Sequence, residues 1–444
     1  MVLVKTLQVL LALSILIVIH EAGHFCFAKL FGIRVEKFFL FFDIGGFKLL
    51  STKEGWFSRL FPGLGKFSTE YGIGWLPLGG YCKIAGMVDE SLDTEQLRSE
   101  PSKDEFRTKP AWQRLLVMAG GVLFNFILAI ILFICILGIW GESYISNEDS
   151  CIYAGQMARD MGFETGDHIL DMDGYIPDNF GMLQADIARR SPRTVRVLRG
   201  LDTVTIYIDH SRIPDILNSP DMFSLAVPFV VDTIPPESPN WQGGLVRGDR
   251  IIGADSTEIA FLQDSRPVFA RNRGKSITAS VVRGADTLSL PIKLDTSGRA
   301  VIFAAIPGLK TRNYGAISAI PAGIKMAFSS VSGYLSDLKM VATPSTGAYK
   351  SVGSFISIGK VFPGVWDWYR FLVLLAMLSI MLGVMNLIPI PGLDGGHIMF
   401  TLYEMVTGRK PSERFLVIAQ MIGMVLLMML MMLAFSNDIS SLLR

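Results

Sequence analysis

His20-Glu21-Ala22-Gly23-His24 sets two imidazoles four residues apart with a carboxylate beside the first. On a helix, residues i and i+4 share a face, so both imidazoles can hold one Zn²⁺ while Glu21 takes a proton from water activated there. The five-residue pattern also arises by chance, so its surroundings matter. It ends an apolar run that starts near residue 4, and three ionisable groups near the end of a membrane helix are costly unless they bind something. The plain alternative is a helix emerging into water.

A catalytic zinc needs a third protein ligand and an open position. In Asn386-Leu-Ile-Pro-Ile-Pro-Gly-Leu-Asp-Gly-Gly-His397 an apolar helix breaks at Pro389 and Pro391 and presents Asp394 between small residues. Coordination to a cation offsets the cost of a carboxylate in that setting, which makes Asp394 the expected third ligand. His397 reads as a residue behind the ligands or in the packing. His168 and His210 fall in a segment of soluble character and read as ordinary histidines. Two histidines and one carboxylate also suit non-haem iron.

The elements that must position these groups are apolar. Half of the 444 residues are hydrophobic and only 18% are charged, with a mean hydropathy of +0.42, a balance that points to a membrane protein. The net charge of +1 gives no global signal for nucleic acid. Four stretches, roughly 4–30, 113–140, 366–388 and 413–435, are long enough to cross a bilayer, where about 20 residues suffice. The first lacks a small-residue cleavage site and reads as a membrane helix rather than a signal peptide. Lys29, Arg34 and Lys37 at one end of the first loop, and Arg107, Lys109 and Arg114 at the other, put that loop in the cytoplasm. Arg409, Lys410 and Arg414 agree, while Lys360 and Arg370 weigh the other way. Both termini and the long 141–365 region then face outward. Cys26, Cys82, Cys135 and Cys151 show no ligand or redox spacing and read as buried thiols.

Within the first loop, Phe38 to Leu50 and Tyr71 to Met87 alternate apolar and small residues with many glycines, which predicts strands. Such a hairpin or sheet dipping into the membrane must rest on protein or line a water-filled cavity. From 141 to 310 the hydrophobic runs shorten and turn signals recur, at 171–174, 199–200 and 283–284, which marks a soluble insertion. It carries an internal repeat: Ala158 to Leu170 resembles Trp241 to Ile252, each reading as a short helix, a tight Gly-Asp turn and a strand. Gly244-Leu245 followed by Gly248-Asp249-Arg250-Ile251 resembles the turn of PDZ domains, which bind extended peptides or chain ends by strand addition; the first copy matches more loosely. A packing domain without a ligand is the alternative.

The paired motifs, His-Glu-x-x-His in the first span and Asn-x-x-Pro-x-Pro-x-Leu-Asp-Gly-Gly-His in a later one, resemble the signature of the site-2 protease family. The PDZ-like insertion, with the segments Gly72 to Glu90, Met118-Ala-Gly-Gly-Val-Leu-Phe-Asn125 and Gly353 to Lys360, is similar to its bacterial regulator of sigma-E protease branch. The resemblance covers nearly the whole chain. It implies an intramembrane zinc metalloendopeptidase of the bacterial inner membrane, with His20, His24 and Asp394 on zinc, Glu21 as base, the active site near the cytoplasmic side and the PDZ domains in the periplasm. Its substrates would be single-span membrane proteins already trimmed by another protease, such as anti-sigma factors or remnant signal peptides.

The resemblance further implies that Asn386 hydrogen-bonds an unwound substrate, that Asn125 lines the same site, and that a membrane-dipping sheet around Gly72 to Gly80 receives the substrate as an added strand. Gly72, Gly74, Pro389 and Pro391 are counted with these substrate-facing residues. The expected architecture is a polytopic α-helical membrane protein of four transmembrane helices with a membrane-dipping β-sheet loop and two inserted α+β PDZ-like domains. The divisions are 1–140, 141–225, 226–310, an amphipathic connection over 311–365, and 366–444. The expected partners are membrane-protein substrates, the lipid bilayer, and peptide or chain-end ligands of the PDZ domains, with no nucleic acid. A metal-binding membrane transporter or a PDZ-bearing scaffold is the alternative, although no symmetry between the membrane halves favours a transporter.

Overall fold

The structure is a computed structural model that describes residues 2–61, 63, 68–77, 79–87, 100–217, 219, 221–351 and 353–443. Val88 to Glu90, the end of one quoted segment, and Leu78 lie outside the described residues. The chain divides into two compact units, one made of Met1–Gly141, Asn313–Ala342 and Tyr349–Arg444, the other of Glu142–Arg312 and Thr343–Ala348.

The first unit is built on helices α1 (Val2–Leu30), α2 (Ala111–Trp140), α3 (Ala319–Val341), α4 (Trp368–Leu387), α5 (Asp394–Thr407) and α6 (Glu413–Leu443). Of these, α1, α2, α4 and α6 are long and apolar enough to cross a membrane, as expected from the sequence. Small residues bring them close. A Cβ on Gly120 would stand 2.6 Å from the carbonyl oxygen of Gly23, so α1 and α2 cross backbone to backbone, the way membrane helices pack where no hydrophobic drive separates helix from lipid. Helix α3 does more than connect: Ala327 packs among Ala129, Phe133, Ala376, Ile380 and Val384 of α2 and α4. The cysteines depart from expectation, since Cys26 and Cys135 are exposed on the flanks of α1 and α2.

The first loop forms one four-stranded sheet from β1 (Val35–Leu40), β2 (Lys48–Ser51), β3 (Glu70–Gly74) and β4 (Tyr81–Ile84), in the order β2-β3-β1-β4. Strand β3 is parallel to β1, pairing Phe39 with Gly72, and antiparallel to β2, pairing Ser51 with Gly72. Strand β4 pairs antiparallel with β1 and forms one edge. The run expected from Phe38 to Leu50 is interrupted by Phe41, at φ 69°, and a 3₁₀ turn at Ile44–Gly46.

The second unit holds two hydrophobic cores, one drawn from Ile152 to Met222 and one from Phe229 to Ala300. The first contains the sheet β5 (His168–Met172), β6 (Thr194–Arg199) and β7 (Asp202–Tyr207); the second contains β8 (Arg250–Ala254), β9 (Ser276–Arg283) and β10 (Asp286–Lys293), with Thr257–Glu258 added outside β8. The repeat seen in the sequence has a three-dimensional counterpart. Asp167 and Asp249 are both fully buried, and each accepts from the Nε of an arginine at 2.8 Å, Arg199 in one copy and Arg283 in the other. Each arginine also donates to a glycine carbonyl, Gly162 or Gly244. The copies differ at the expected helix. Gln156–Asp160 is helical, whereas residues 238–244 form turns, because Gly243 and Gly244 disfavour a helix and Gly244 sits at φ 84°.

Candidate metal centre and active site

Helix α1 carries His20 and His24 on one face, and α2 makes room for them at Gly121, where a Cβ would stand 2.5 Å from His24 Nε2 and 2.6 Å from His20 Cε1. Asp394 is the first residue of α5. The turn before it needs Gly392, at φ 101°, and the helix start lies so close to the Ile390 carbonyl that a Cβ on Gly396 would stand 2.7 Å from its oxygen. Gly395 and Gly396 therefore serve close approach, and Gly392 serves the turn. Pro389 and Pro391 turn the chain out of α4 and are not among the residues lining the cavity described below.

The three groups converge. His20 Nε2 lies 3.2 Å and His24 Nε2 3.4 Å from Asp394 Oδ2, and the two Nε2 atoms are 3.3 Å apart. A tetrahedron with metal–ligand distances near 2.0–2.1 Å has edges of about 3.3 Å, so these donors fit zinc. Asp394 Oδ2 is buried and, among the described residues, has no hydrogen-bond partner besides the two imidazoles it faces, as suits a ligand oxygen. His24 Nδ1 lies 2.8 Å from the Val117 carbonyl, which accepts its proton and leaves Nε2 free for metal. Among the described residues this is the one group of His, Cys, Asp and Glu side chains whose three ligand atoms come together in this way.

Glu21 faces the same cavity, which encloses about 580 Å³ and is walled by α1, α5, α6 and strand β4. Asn386 lines it too, with Nδ2 3.2 Å from His20 Nε2. His397 also lines the cavity and is not one of the three converging ligands. His168 and His210 belong to the other unit and contact backbone carbonyls there, Ser150 and Pro192.

Gly72, Gly74 and Asn125 depart from expectation. Gly72 and Gly74 lie on β3, which is hydrogen-bonded on both sides and offers no edge to a substrate; a Cβ on Gly72 would strike the Phe39 ring and, at 2.6 Å, the Leu50 carbonyl oxygen. The strand that contributes most to the cavity wall is β4, through Tyr81, Cys82, Lys83 and Ile84, with Lys37 added from β1. Asn125 does not line the cavity: it is fully buried against His20, with Nδ2 3.0 Å from His20 Nδ1. Sequence reasoning also missed Gln420, an amide 4% exposed that reaches the cavity from α6. Its signal was readable, since it is a lone amide in the apolar stretch of that helix.

A sequence profile described as Peptidase family M50 matches residues 8–430. The chain belongs to this family. It is similar to the regulator of sigma-E protease RseP of Escherichia coli strain K12, 29% identical over 471 residues that cover 98% of both chains. It is equally similar to the regulator of sigma E protease of Salmonella typhimurium strain LT2, 29% identical over 461 residues with 98% of both covered. A Rickettsia conorii protein named as a zinc metalloprotease is 27% identical over 437 residues, again with 98% of both covered. Membership makes this chain a zinc-dependent metalloprotease of the membrane and sets aside the transporter and scaffold alternatives.

Proposed function

We propose that the chain hydrolyses membrane-spanning segments of other proteins at a zinc held by His20, His24 and Asp394, with Glu21 as general base. The observation that carries this reading is the convergence of three ligand atoms at tetrahedral spacing, beside Glu21, in a cavity walled by membrane helices. Zinc supplies Lewis acidity there, acidifying water and polarising the scissile carbonyl. Glu21 accepts a proton from the attacking water as the C–O bond forms and passes it to the amine nitrogen as the C–N bond breaks. Asn386 is placed to hydrogen-bond the substrate backbone.

A transmembrane helix keeps its carbonyls within its own hydrogen bonds, so the substrate must unwind before it can be cut. The outer edge of β4 supplies replacement partners by strand addition. This moves the docking strand from the segment around Gly72 to Tyr81–Ile84, a reading supported by the sheet order and by the cavity wall.

We read 141–225 and 226–310 as two PDZ-like domains joined by 311–365 to the last spans, outside the membrane opposite the cytoplasmic first loop. The shared Asp–Arg pairs and Gly-Asp turns support a duplication. In the first copy, helix Ile213–Leu217 packs on helix Leu183–Arg190, and Gln184 donates to the Ile216 and Ser219 carbonyls; a peptide seeking that helix must displace this segment. Their role would be to admit membrane proteins already trimmed, such as anti-sigma factors or remnant signal peptides. The zinc reading is tested by stripping the purified protein with a chelator: cleavage of a single-span substrate should vanish and return with zinc, and cleavage by zinc-free protein contradicts it.

A further inference from the structure

Asn125 sits in the middle of α2 with its side chain closed off from solvent. Its backbone carbonyl accepts from Ser379 Oγ of α4 at 2.8 Å, and a Cβ on Gly383 would meet its Cβ at 3.5 Å. The residue is thereby pinned between two helices, with its amide against the face of His20 that points away from Asp394. Nδ2 lies 3.0 Å from His20 Nδ1, while Oδ1 is buried without a partner among the described residues.

His20 turns Nε2 toward Asp394 and His24, so a neutral imidazole bound to metal through Nε2 carries its proton on Nδ1. That proton needs an acceptor, and Nδ2 is a donor. Half a turn of the amide exchanges its oxygen and nitrogen without moving the side chain and brings Oδ1 to Nδ1.

We propose that Asn125 is a positioning residue for the metal ligand His20, its amide oxygen accepting from Nδ1–H when zinc is bound. This assignment differs from the expected contact with substrate, because Asn125 has no face on the cavity. A partner on the far nitrogen of a ligating histidine fixes the ring's orientation and tautomer and makes it the better ligand.

The inference rests on the zinc reading of the site, and the test separates the two. Zinc affinity is measured by chelator competition on full-length protein in detergent, for wild type, Asn125→Leu and Asn125→Asp, together with the visible spectrum of each after cobalt substitution. Asn125→Leu keeps the shape but no acceptor and should bind zinc about 10- to 100-fold more weakly, with an altered cobalt band. Asn125→Asp keeps the acceptor and should bind zinc close to wild type. If Asn125→Leu does not accumulate as folded protein, Asn125→Ala removes the same acceptor without bulk and should show the same loss. Wild-type zinc affinity and cobalt spectrum in a folded Leu or Ala variant overturn the proposal. No zinc on the wild type would instead overturn the metal reading beneath it.

Discussion

The carbonyl oxygen of Pro391 rests against the backbone of Gly423, leaving no room for a Cβ between them. Pro391 begins the turn that delivers Asp394 to the metal centre, and Gly423 lies on the buried stripe of α6. The last helix therefore sets the height of that turn. Gly423→Leu should push α6 and the 388–394 turn apart and lower cleavage by about 100-fold, the scale of a displacement near 1 Å at a reacting centre, and bound zinc should fall with it. Full zinc content and activity in this variant would show that the turn holds its place without α6.

Strand β4 makes a prediction about the edge it presents. Alternate N–H groups of an edge strand point away from the sheet, and the Cys82 N–H already faces the Glu21 carboxylate, so proline placed singly at Lys83 and at Ile84 removes one donor of each kind and leaves the Cys82 contact in place. At least one of the two should lower cleavage by about 10-fold or more, the cost of about 1.4 kcal/mol in a binding or transition-state contact, with zinc retained. Undiminished cleavage in both would exclude substrate pairing at this edge.

The ends of the soluble insertion meet in a two-stranded ribbon in which Ile145 pairs with Leu309. Excision of 146–308 with a short link should leave the flanking chain joined where it already lies side by side. The truncated protein should cut untrimmed membrane proteins that the full chain refuses, as judged by cleavage of paired substrates with and without a bulky outer domain. Unchanged selectivity would remove the filtering role.

Asp249 offers a pH prediction away from the membrane. The Arg283 guanidinium bonded to its buried carboxylate, helped by the Val246 N–H, holds its pKa below the ordinary range. A carboxylate favoured by folding stabilises above its unfolded value of about 3.9, and that stabilisation is lost as pH falls through the lower folded value. Asp249→Asn should weaken the second core by about 1.5–3 kcal/mol at neutral pH, read as lost hydrogen-exchange protection over β8 to β10. The gap between variant and wild type should close as the acid limb is reached. A constant gap across pH would mean that the charge is not the source.

The parts legible in the sequence were those set by local chemistry. Four membrane helices followed from run length, and His20, Glu21, His24 and Asp394 from the cost of charge in apolar surroundings; the structure brings all four to one cavity. Strand order is not a local property. The glycines at 72 and 74 look like a place for an incoming strand until β2 and β1 are found on either side of them. Asn125 was misplaced for a similar reason: its helix was evident, but whether it faced the cavity or the back of His20 depends on how α1 and α2 cross at Gly23 and Gly120. The second repeat looked helical by analogy with the first, and Gly243-Gly244 overrode that analogy.

The most direct test of the account replaces Glu21 with Gln and measures zinc content and cleavage of a single-span substrate on the same preparation. Glu21 lines the cavity without being one of the three converging ligands. The account predicts wild-type zinc and cleavage reduced by about 10²- to 10⁴-fold or more, the range for loss of a general base. Zinc retained together with wild-type cleavage would contradict it.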